Sequence, residues 1–572
     1  MSKKSVHTLP RWRFYVVAAA LCSLLGLLVW QMLSLQILDR ERGREFLKDQ
    51  GDMRAVRTAE IPAYRGVISD RRGEPLAVST PVVSLYANPQ VLKYSQELPK
   101  LAEALDMPLS ELQERLARYG DKQFMYLKRH WKPVSARRVL DLEIGGVHSE
   151  REYKRYYPAG HVAAQLVGFT NMDGRGIEGV ELAYDNWLRG VPGRKTYIKD
   201  RRGDKVRDIG VVDEAKPGND LTLSIDLRLQ YQQHMELKRA VTKLGAASGS
   251  VVTLDSRTGE ILAMVNYPDY NPNGDKGSDA GRRRNRAATD VYEPGSTMKA
   301  LTLVAALESG RYTTDTIIDT APGWVSVSGK VYKDPKNYKQ ISLTRVLQKS
   351  SQVGVTRLAM DLGHESIRDV FSRFGIGSPP GTGFPGESAG RLPSRNRWHV
   401  SEQISLAFGY GITASPLQLA SAYSVFANGG IQLPISMLAL EGKVPAGNRV
   451  ISSETAAEVL EVLHAVTAEE GTATKAQVPG YQVGGKTGTV HKVGPGGYQK
   501  DKYVALFAGI APVDDPRIVS VVVINEPKGE VYGGGSAAAP VFSEIARGAL
   551  RVLNIPPSSL ATAPPAKPGG AA

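Results

Sequence analysis

The chain reads as an α+β protein: one antiparallel sheet packed by helices, preceded by a β-rich N-terminal module and a single N-terminal transmembrane helix. Three observations lead there. Residues 14–35 are apolar apart from Ser23, Gln31 and Ser34. Strand-like runs joined by tight turns lie both early and late in the C-terminal two thirds, with helical runs between them. At 572 residues the chain also exceeds one ordinary core, so more than one domain is expected. The boundaries so read are 1–13, a cytoplasmic N-terminus; 14–35, the membrane helix; 36–220, the N-terminal module; 221–555, the main domain; and 556–572, a Pro/Ala/Gly-rich disordered tail.

No charged residue stands between Arg13 and Asp39. At 1.5 Å per residue, residues 14–35 span about 33 Å, enough for one crossing. A cleaved signal peptide has a shorter apolar region, and a lipoprotein signal at Cys22 meets bulky Leu21 where a small residue is wanted. Basic residues flank both ends (Lys3, Lys4, Arg11, Arg13 against Arg40, Arg42, Arg44, Lys48), so charge alone leaves orientation open.

In the module, residues 66–69 and 75–78 flank Asp70-Arg71-Arg72-Gly73, a hairpin pattern. Residues 98–116 carry helically spaced leucines and predict a small helical insertion. Gly174-Arg175-Gly176-Ile177-Glu178-Gly179 satisfies G-x-G-x-x-G, and Asp200 follows at a suitable distance, but the flanks lack alternating parallel strands and helices, which excludes a dinucleotide fold. Lys216-Pro217-Gly218-Asn219-Asp220 is a breaker cluster that closes the module.

Beyond it, residues 221–225 read as a strand and Asp226 as the cap of a helix to about residue 243. Residues 251–254 and 261–265 flank Asp255-Ser256-Arg257-Thr258-Gly259, and residues 504–510 and 518–524 flank Asp514-Asp515-Pro516, giving two more hairpins. The strand around Lys486 falls at the edge of the resulting sheet. Phe408-Gly409-Tyr410-Gly411-Ile412 and the helix of residues 416–427 read as packing elements.

The chemistry gathers on Glu293-Pro294-Gly295-Ser296-Thr297-Met298-Lys299. A Pro-Gly breaker starts an apolar run, residues 297–307, that stops at Ser309-Gly310, so Ser296 belongs in the first turn of a buried helix. Three positions apart, Ser296 and Lys299 share a face, where an amine can take the hydroxyl proton. Burial lowers a lysine pKa towards what a general base needs, and a helix N-terminus favours the anion formed when a carbonyl is attacked. Ser-x-x-Lys alone is weak. Downstream stand Lys349-Ser350-Ser351-Gln352, between two amphipathic runs, and Gly484-Gly485-Lys486-Thr487-Gly488-Thr489-Val490, whose glycines let a strand approach a ligand closely.

Ser-x-x-Lys, a Ser-x-amide element and Lys-Thr-Gly, in that order, resemble the signature of the penicillin-binding transpeptidases. Arg65-Gly66-x-Ile68-x-Asp70-Arg71-x-Gly73, Arg155-Tyr156-Tyr157-Pro158-Ala159-Gly160 and the 174–185 stretch resemble the class B, division-specific (septal) peptidoglycan D,D-transpeptidases. The resemblance implies a penicillin-binding domain over 221–555 and a non-catalytic, dimerisation-type pedestal over 36–220. It implies Ser296 as acylated nucleophile, Lys299 as its base and Ser350 as proton relay to the leaving amine. Lys486, Thr487, Gly488 and Thr489 would bind the substrate carboxylate, with the backbone N–H groups of Ser296 and Thr489 as oxyanion hole. Gln352 stands where the family has Asn, which moves the amide head by about one bond length. The implied partners are stem peptides ending in D-Ala-D-Ala, β-lactam antibiotics, the membrane and division-complex proteins including a glycan polymerase. The implied place is the bacterial inner membrane, single-pass, with the chemistry in the periplasm.

Rival readings fail on residues. A class A β-lactamase needs a glutamate before Leu-Asn, and Leu553-Asn554 lacks it. A scaffold need not keep Ser296, Lys299, Ser350 and Lys486 together, and a penicillin sensor would carry a cytosolic output domain. The net charge of +14 is scattered; only Arg282-Arg283-Arg284 is dense, without interleaved aromatics, so no nucleic-acid binding is expected. A single cysteine and nine histidines without a His-x-x-x-His pair imply neither disulfide nor metal, and no cofactor is expected.

Overall fold

The computed structural model describes residues 10–34, 56–199, 205–274, 280–395, 397–494 and 496–558. The first nine residues, Leu35, the basic cluster Arg40 to Lys48, Asp200 and the tail from residue 559 lie outside the described residues. Arg11–Leu33 forms a 23-residue helix with no buried residue. Among the described residues it is the one helix long and apolar enough to cross a membrane. Cys22 is exposed on it.

The chain divides into two compact units that alternate along the sequence. The first comprises residues 1–64, 81–153 and 190–217. It holds a three-stranded antiparallel sheet, with Gly193–Lys199 between Val56–Ile61 and Lys205–Asp213. Its helices Leu98–Ala104, Leu109–Arg118 and Pro133–Leu140 pack with the strand Met125–Trp131 around Leu101, Leu105, Leu112 and Leu127. Two helices fill residues 98–118: the first ends at Ala104, just before Asp106 turns left-handed at φ +54°, and Pro108 precedes the second, so the leucine spacing runs across a break.

The second unit comprises residues 65–80, 154–189 and 218–572, so stretches of the 36–220 module belong to it. Three of the motif stretches meet here on one carboxylate. Glu181, fully buried, takes the Arg65 guanidinium at 2.6 Å and Arg155 Nε at 2.7 Å, and Asp185 takes Arg65 Nη1 at 2.7 Å. The G-x-G-x-x-G glycines serve packing. Phe169–Thr170 pairs antiparallel with Gly176–Glu178, and a Cβ on Gly176 would stand 1.9 Å from the Glu181 carbonyl oxygen.

The sheet of this unit comprises β1 (Ser248–Asp255), β2 (Ile261–Tyr267), β3 (Gly484–Gly494), β4 (Gly497–Ala511) and β5 (Ile518–Asn525). Its order is β2-β1-β5-β4-β3, with every pair antiparallel. Both faces are covered, which is why β1 and β5 read as continuous rather than alternating apolar runs. On one face, Val251, Phe507 and Val522 pack against α1 (Leu227–Lys243) and the C-terminal helix Ala539–Val552. On the other, Val252, Leu254, Leu506 and Val523 share one core with α5 (Pro416–Ala427), which lies on β1, β4 and β5, with α6 (Ser453–Thr467) on β3, and with α2 (Lys299–Glu308), α3 (Leu343–Gln348) and α4 (Gln352–Arg373, broken at Gly363) beyond them. Asp226 caps α1 by accepting from Arg228 N–H, as its place before the apolar run requires. The Lys486 strand, β3, is the last in the sheet.

Candidate active site

Ser296 stands on a single 3-10 turn, Gly295–Met298, that runs straight into α2. The turn begins with Gly295 at φ +55°, and a Cβ there would lie 2.4 Å from Val490 Cγ1 on β3, so only glycine fits. Three bonds fix the turn. Thr297 Oγ1 donates to the Pro294 carbonyl at 2.8 Å, Gly295 N–H donates to the Gly409 carbonyl at 3.1 Å, and the buried Tyr423 hydroxyl of α5 donates to the Thr297 carbonyl at 2.7 Å. Burial pushes the Tyr423 phenol up, so it remains a donor. Ser296 itself is half-buried, and its hydroxyl has no hydrogen-bond partner among the described residues.

Lys299 opens α2 with its side chain inside the protein. Its amine donates to the Ser350 carbonyl at 2.8 Å and to Ser350 Oγ at 3.1 Å, and stands 5.2 Å over the Phe408 ring. The spacing expected this amine at Ser296; it is hydrogen-bonded to Ser350. Burial lowers its pKa to about 7, against an opposing pull from the Asp334 carboxylate. Lys486, fully buried on β3, reaches the same Ser350 Oγ at 3.2 Å and lies 3.4 Å from Thr487 Oγ1. Burial, and then the neighbouring Lys299 charge, hold the Lys486 pKa well below the ordinary lysine value. Among the described residues neither amine has a carboxylate within salt-bridge distance.

Ser350 takes φ +55°, a left-handed conformation uncommon for a side-chain-bearing residue. The residues that follow it are held by Asp334, which the sequence reading passed over. Asp334 Oδ2 accepts from Ser351 Oγ at 2.6 Å, and Oδ1 accepts from the N–H groups of Gln352 at 2.6 Å and Val353 at 3.3 Å. Ser351 also caps α4, accepting from Gly354 N–H at 2.9 Å. A carboxylate on the first N–H groups of α4, which runs unbroken as far as Gly363, is where the helix dipole favours one. The only sequence sign of Asp334 is a polar Asp-Pro turn. Gln352 holds its place through its backbone, and its side chain is exposed.

Along β3, Gly488 lets the strand pass the Ser296 turn, since a Cβ would stand 2.8 Å from the Pro294 carbonyl oxygen. Thr487 is buried, and Thr489 is exposed with its hydroxyl accepting from Gly534 N–H at 2.8 Å. That leaves the Thr489 proton free to donate to a ligand. The structure therefore brings Lys299, Ser350, Lys486 and Thr487 into one bonded cluster, with Gly488 against the Ser296 turn. The Phe408–Ile412 stretch packs as expected, with Phe408 and Ile412 in the core, and it also borders the site through the Phe408 ring and the Gly409 carbonyl; all twelve residues of α5 are likewise buried. Among the described residues no three His, Cys, Asp or Glu side chains gather as metal ligands would.

The Ser350 hydroxyl, bonded to a near-neutral amine beside a basic strand edge, is equipped to move the proton that acyl transfer to a serine requires. Residues 249–547 match the family described as "Penicillin binding protein transpeptidase domain", and residues 60–223 match "Penicillin-binding Protein dimerisation domain". The chain is 41% identical over 535 residues to the probable peptidoglycan D,D-transpeptidase PbpC of Pseudomonas aeruginosa, covering 93% of this chain and 94% of that one. It is 40% identical over 557 residues to the peptidoglycan D,D-transpeptidase FtsI of Escherichia coli K12, covering 96% and 93%. The crystal structure of penicillin binding protein 3 from Mycobacterium tuberculosis, complexed with aztreonam, superposes with a TM-score of 0.68 at 28% identity, covering 87% of this chain and 98% of that one. The chain belongs to the class B penicillin-binding proteins, the division-specific peptidoglycan D,D-transpeptidases.

Proposed function

We propose that this protein cross-links peptidoglycan stem peptides at the division septum through an ester on Ser296, and that β-lactams block it by forming the same ester. The observation that carries the reading is the Ser350 hydroxyl, shared by the amines of Lys299 and Lys486 beside the Ser296 turn.

Lys299, neutral above about pH 7, takes the Ser296 proton as Oγ attacks the carbonyl of the penultimate D-alanine. The backbone N–H groups of Ser296 and Thr489 hold the oxyanion. Lys486, Thr487 and Thr489, at the strand edge that Gly488 keeps close, hold the terminal carboxylate. Ser350, bonded to Lys299, passes the proton on to the leaving D-alanine amine, and the C–N bond breaks. An amine of a second stem peptide then attacks the ester, gives up its proton along the same route and frees Ser296. Gln352 lies at the rim with its amide in solvent, where it meets the bound acyl group.

The apolar helix Arg11–Leu33 anchors the protein in the inner membrane, with the catalytic unit on the periplasmic side. Residues 36–220 serve as a non-catalytic pedestal, and residues 221–555 as the penicillin-binding domain. Division-complex proteins, among them a glycan polymerase, are its partners. Intact-protein mass spectrometry after penicillin treatment tests the chemistry: one adduct is expected on the wild type and none on Ser296→Ala. An undiminished adduct on Ser296→Ala defeats the assignment, and rapid turnover of nitrocefin would mark a β-lactamase instead.

A further inference from the structure

The hairpin that carries Lys486 continues well past the core. No residue of β3 beyond Val490, and none of β4 before Val504, is buried. This outer arm is held on one side by Lys492 and Lys502 on Glu526 and by Tyr503 stacked on Tyr532 at 4.2 Å. On the other side it reaches the segment leading to Ser296. Tyr498, paired with Val493 across the arm, donates its hydroxyl to Glu293, at 2.9 Å from Oε2 and 3.1 Å from Oε1. Glu293 Oε1 also accepts Gly411 N–H at 2.8 Å, and the Tyr410 ring meets the Tyr498 ring edge-on at 6.4 Å.

Glu293 is thus a junction of three pieces: the strand arm, the 409–411 turn and the chain three residues before Ser296. The 409–411 turn has its own hold on the nucleophile, because the Gly409 carbonyl accepts Gly295 N–H and a Cβ on Gly409 would stand 2.3 Å from the Gly295 carbonyl oxygen. Among the described residues, Tyr498 to Glu293 is the one side-chain hydrogen bond that ties the arm to this segment. Burial, with the Glu293 bond next, pushes the Tyr498 phenol up, so it is a proton donor throughout the physiological range.

We propose that Tyr498 and Glu293 form a latch that fixes the outer hairpin against the nucleophile turn, making both positioning residues for acyl transfer at Ser296. The inference rests on the reading of Ser296 as the acylated residue. The latch acts through distance: with it closed, β3, the 409–411 turn and Ser296 move as one body, so the strand edge and the nucleophile keep their spacing when a substrate enters. Tyr498 is more than half exposed, so its hydroxyl can be removed without emptying a core.

The test uses the full chain and a fluorescent penicillin, reading the second-order acylation constant, the melting temperature and hydrogen exchange at the Gly411 amide. Tyr498→Phe is expected to acylate about tenfold more slowly, the factor carried by one hydrogen bond to a charged group, with an unchanged melting temperature and faster exchange at Gly411. Glu293→Gln keeps an acceptor for both donors and is expected to stay within about threefold of wild type. Glu293→Ala is expected to fall at least as far as Tyr498→Phe, and the double variant no further than Glu293→Ala alone. Wild-type acylation by Tyr498→Phe overturns the latch while leaving Ser296 in place. A loss of rate that tracks melting temperature across the variants also overturns it, since that is plain destabilisation. Absence of any adduct on wild type overturns the reading of Ser296 and the latch with it.

Discussion

The amines of Lys299 and Lys486 converge on one oxygen, Ser350 Oγ, at 3.1 and 3.2 Å. Two ammonium groups there would repel each other inside a low-dielectric interior, and among the described residues the Asp334 carboxylate, which pairs directly with neither, offsets this only in part. At least one amine is therefore neutral at working pH, and a neutral amine beside a hydroxyl is a proton acceptor. The cluster is built to move a proton rather than to bind an anion with two full charges.

That arrangement fixes a pH dependence. The Lys299 pKa is lowered to about 7, so with Lys299 as the base, acylation of Ser296 rises about tenfold per pH unit below pH 7 and levels above it. Stopped-flow acylation by a β-lactam across pH 5 to 9 reads this directly. Stability follows the same sign. The lysine is 10.5 in its ordinary state, so between about 7 and 10.5 the unfolded chain binds more protons than the folded one. Folding stability therefore increases with pH through this window, and the penalty is complete below about 7. Denaturant midpoints of wild type and Lys299→Met, compared at pH 6.5 and 9, should converge at the higher pH.

Asp334→Asn separates the turn from the base. The carboxylate holds Ser351 and two helix N–H groups, and its loss is expected to cost about 1–3 kcal/mol of stability, since it is a buried acceptor of charge-assisted bonds. The same carboxylate raises the Lys299 pKa against burial, so removing its charge should move the midpoint of the acylation profile below pH 7. A melting curve and a pH–rate profile measured on one preparation check both outcomes.

Gly295→Ala should abolish acylation at little distance from the chemistry. Its Cβ collides with Val490 Cγ1 at 2.4 Å, and its φ of +55° costs a side-chain-bearing residue about 1–2 kcal/mol. Adding Val490→Ala relieves the collision and leaves the backbone cost. The double variant is expected to recover part of the acylation rate, whereas complete recovery would show that the backbone conformation contributes nothing.

Glu181→Ala is a test of folding. It strands the Arg65 and Arg155 guanidiniums, both nearly buried, with one shared partner gone, and a loss of about 3–5 kcal/mol is expected. Thermal unfolding should report it, and the active-site titre of the protein that remains folded should be unchanged.

The parts legible in the sequence were those written locally. Ser296 and Lys299 are tied by helical spacing, Pro294 and Gly295 announce the turn, and the glycines of β3 announce a close approach. Antiparallel order followed from hairpins whose turns lie between their strands. Asp334 and Glu293 were not legible as site residues, because their partners are set by the fold. Glu293 meets Tyr498 some two hundred positions later, and Asp334 meets Ser351 across a separate hairpin. Phe408 read as core and is core, but its second contact, under the Lys299 amine, was not legible, because an aromatic ring beside an amine and one in an apolar cluster have the same sequence pattern. The interleaving of the two compact units was hidden for the same reason, since no local signal says that residues 65–80 and 154–189 belong with the larger body.

The position of β3 at the end of its sheet has a cost that evolution has to manage. A strand with a vacant flank beside a nucleophile is open to any extended peptide, a template for cross-linking and for clumping alike. Nature's usual remedies, a proline or a bulge on the outer flank, would close that flank to any ligand. What stands there instead is the Pro294-Gly295 turn, pressed so close to Gly488 that a Cβ on that glycine would lie 2.8 Å from the Pro294 carbonyl oxygen.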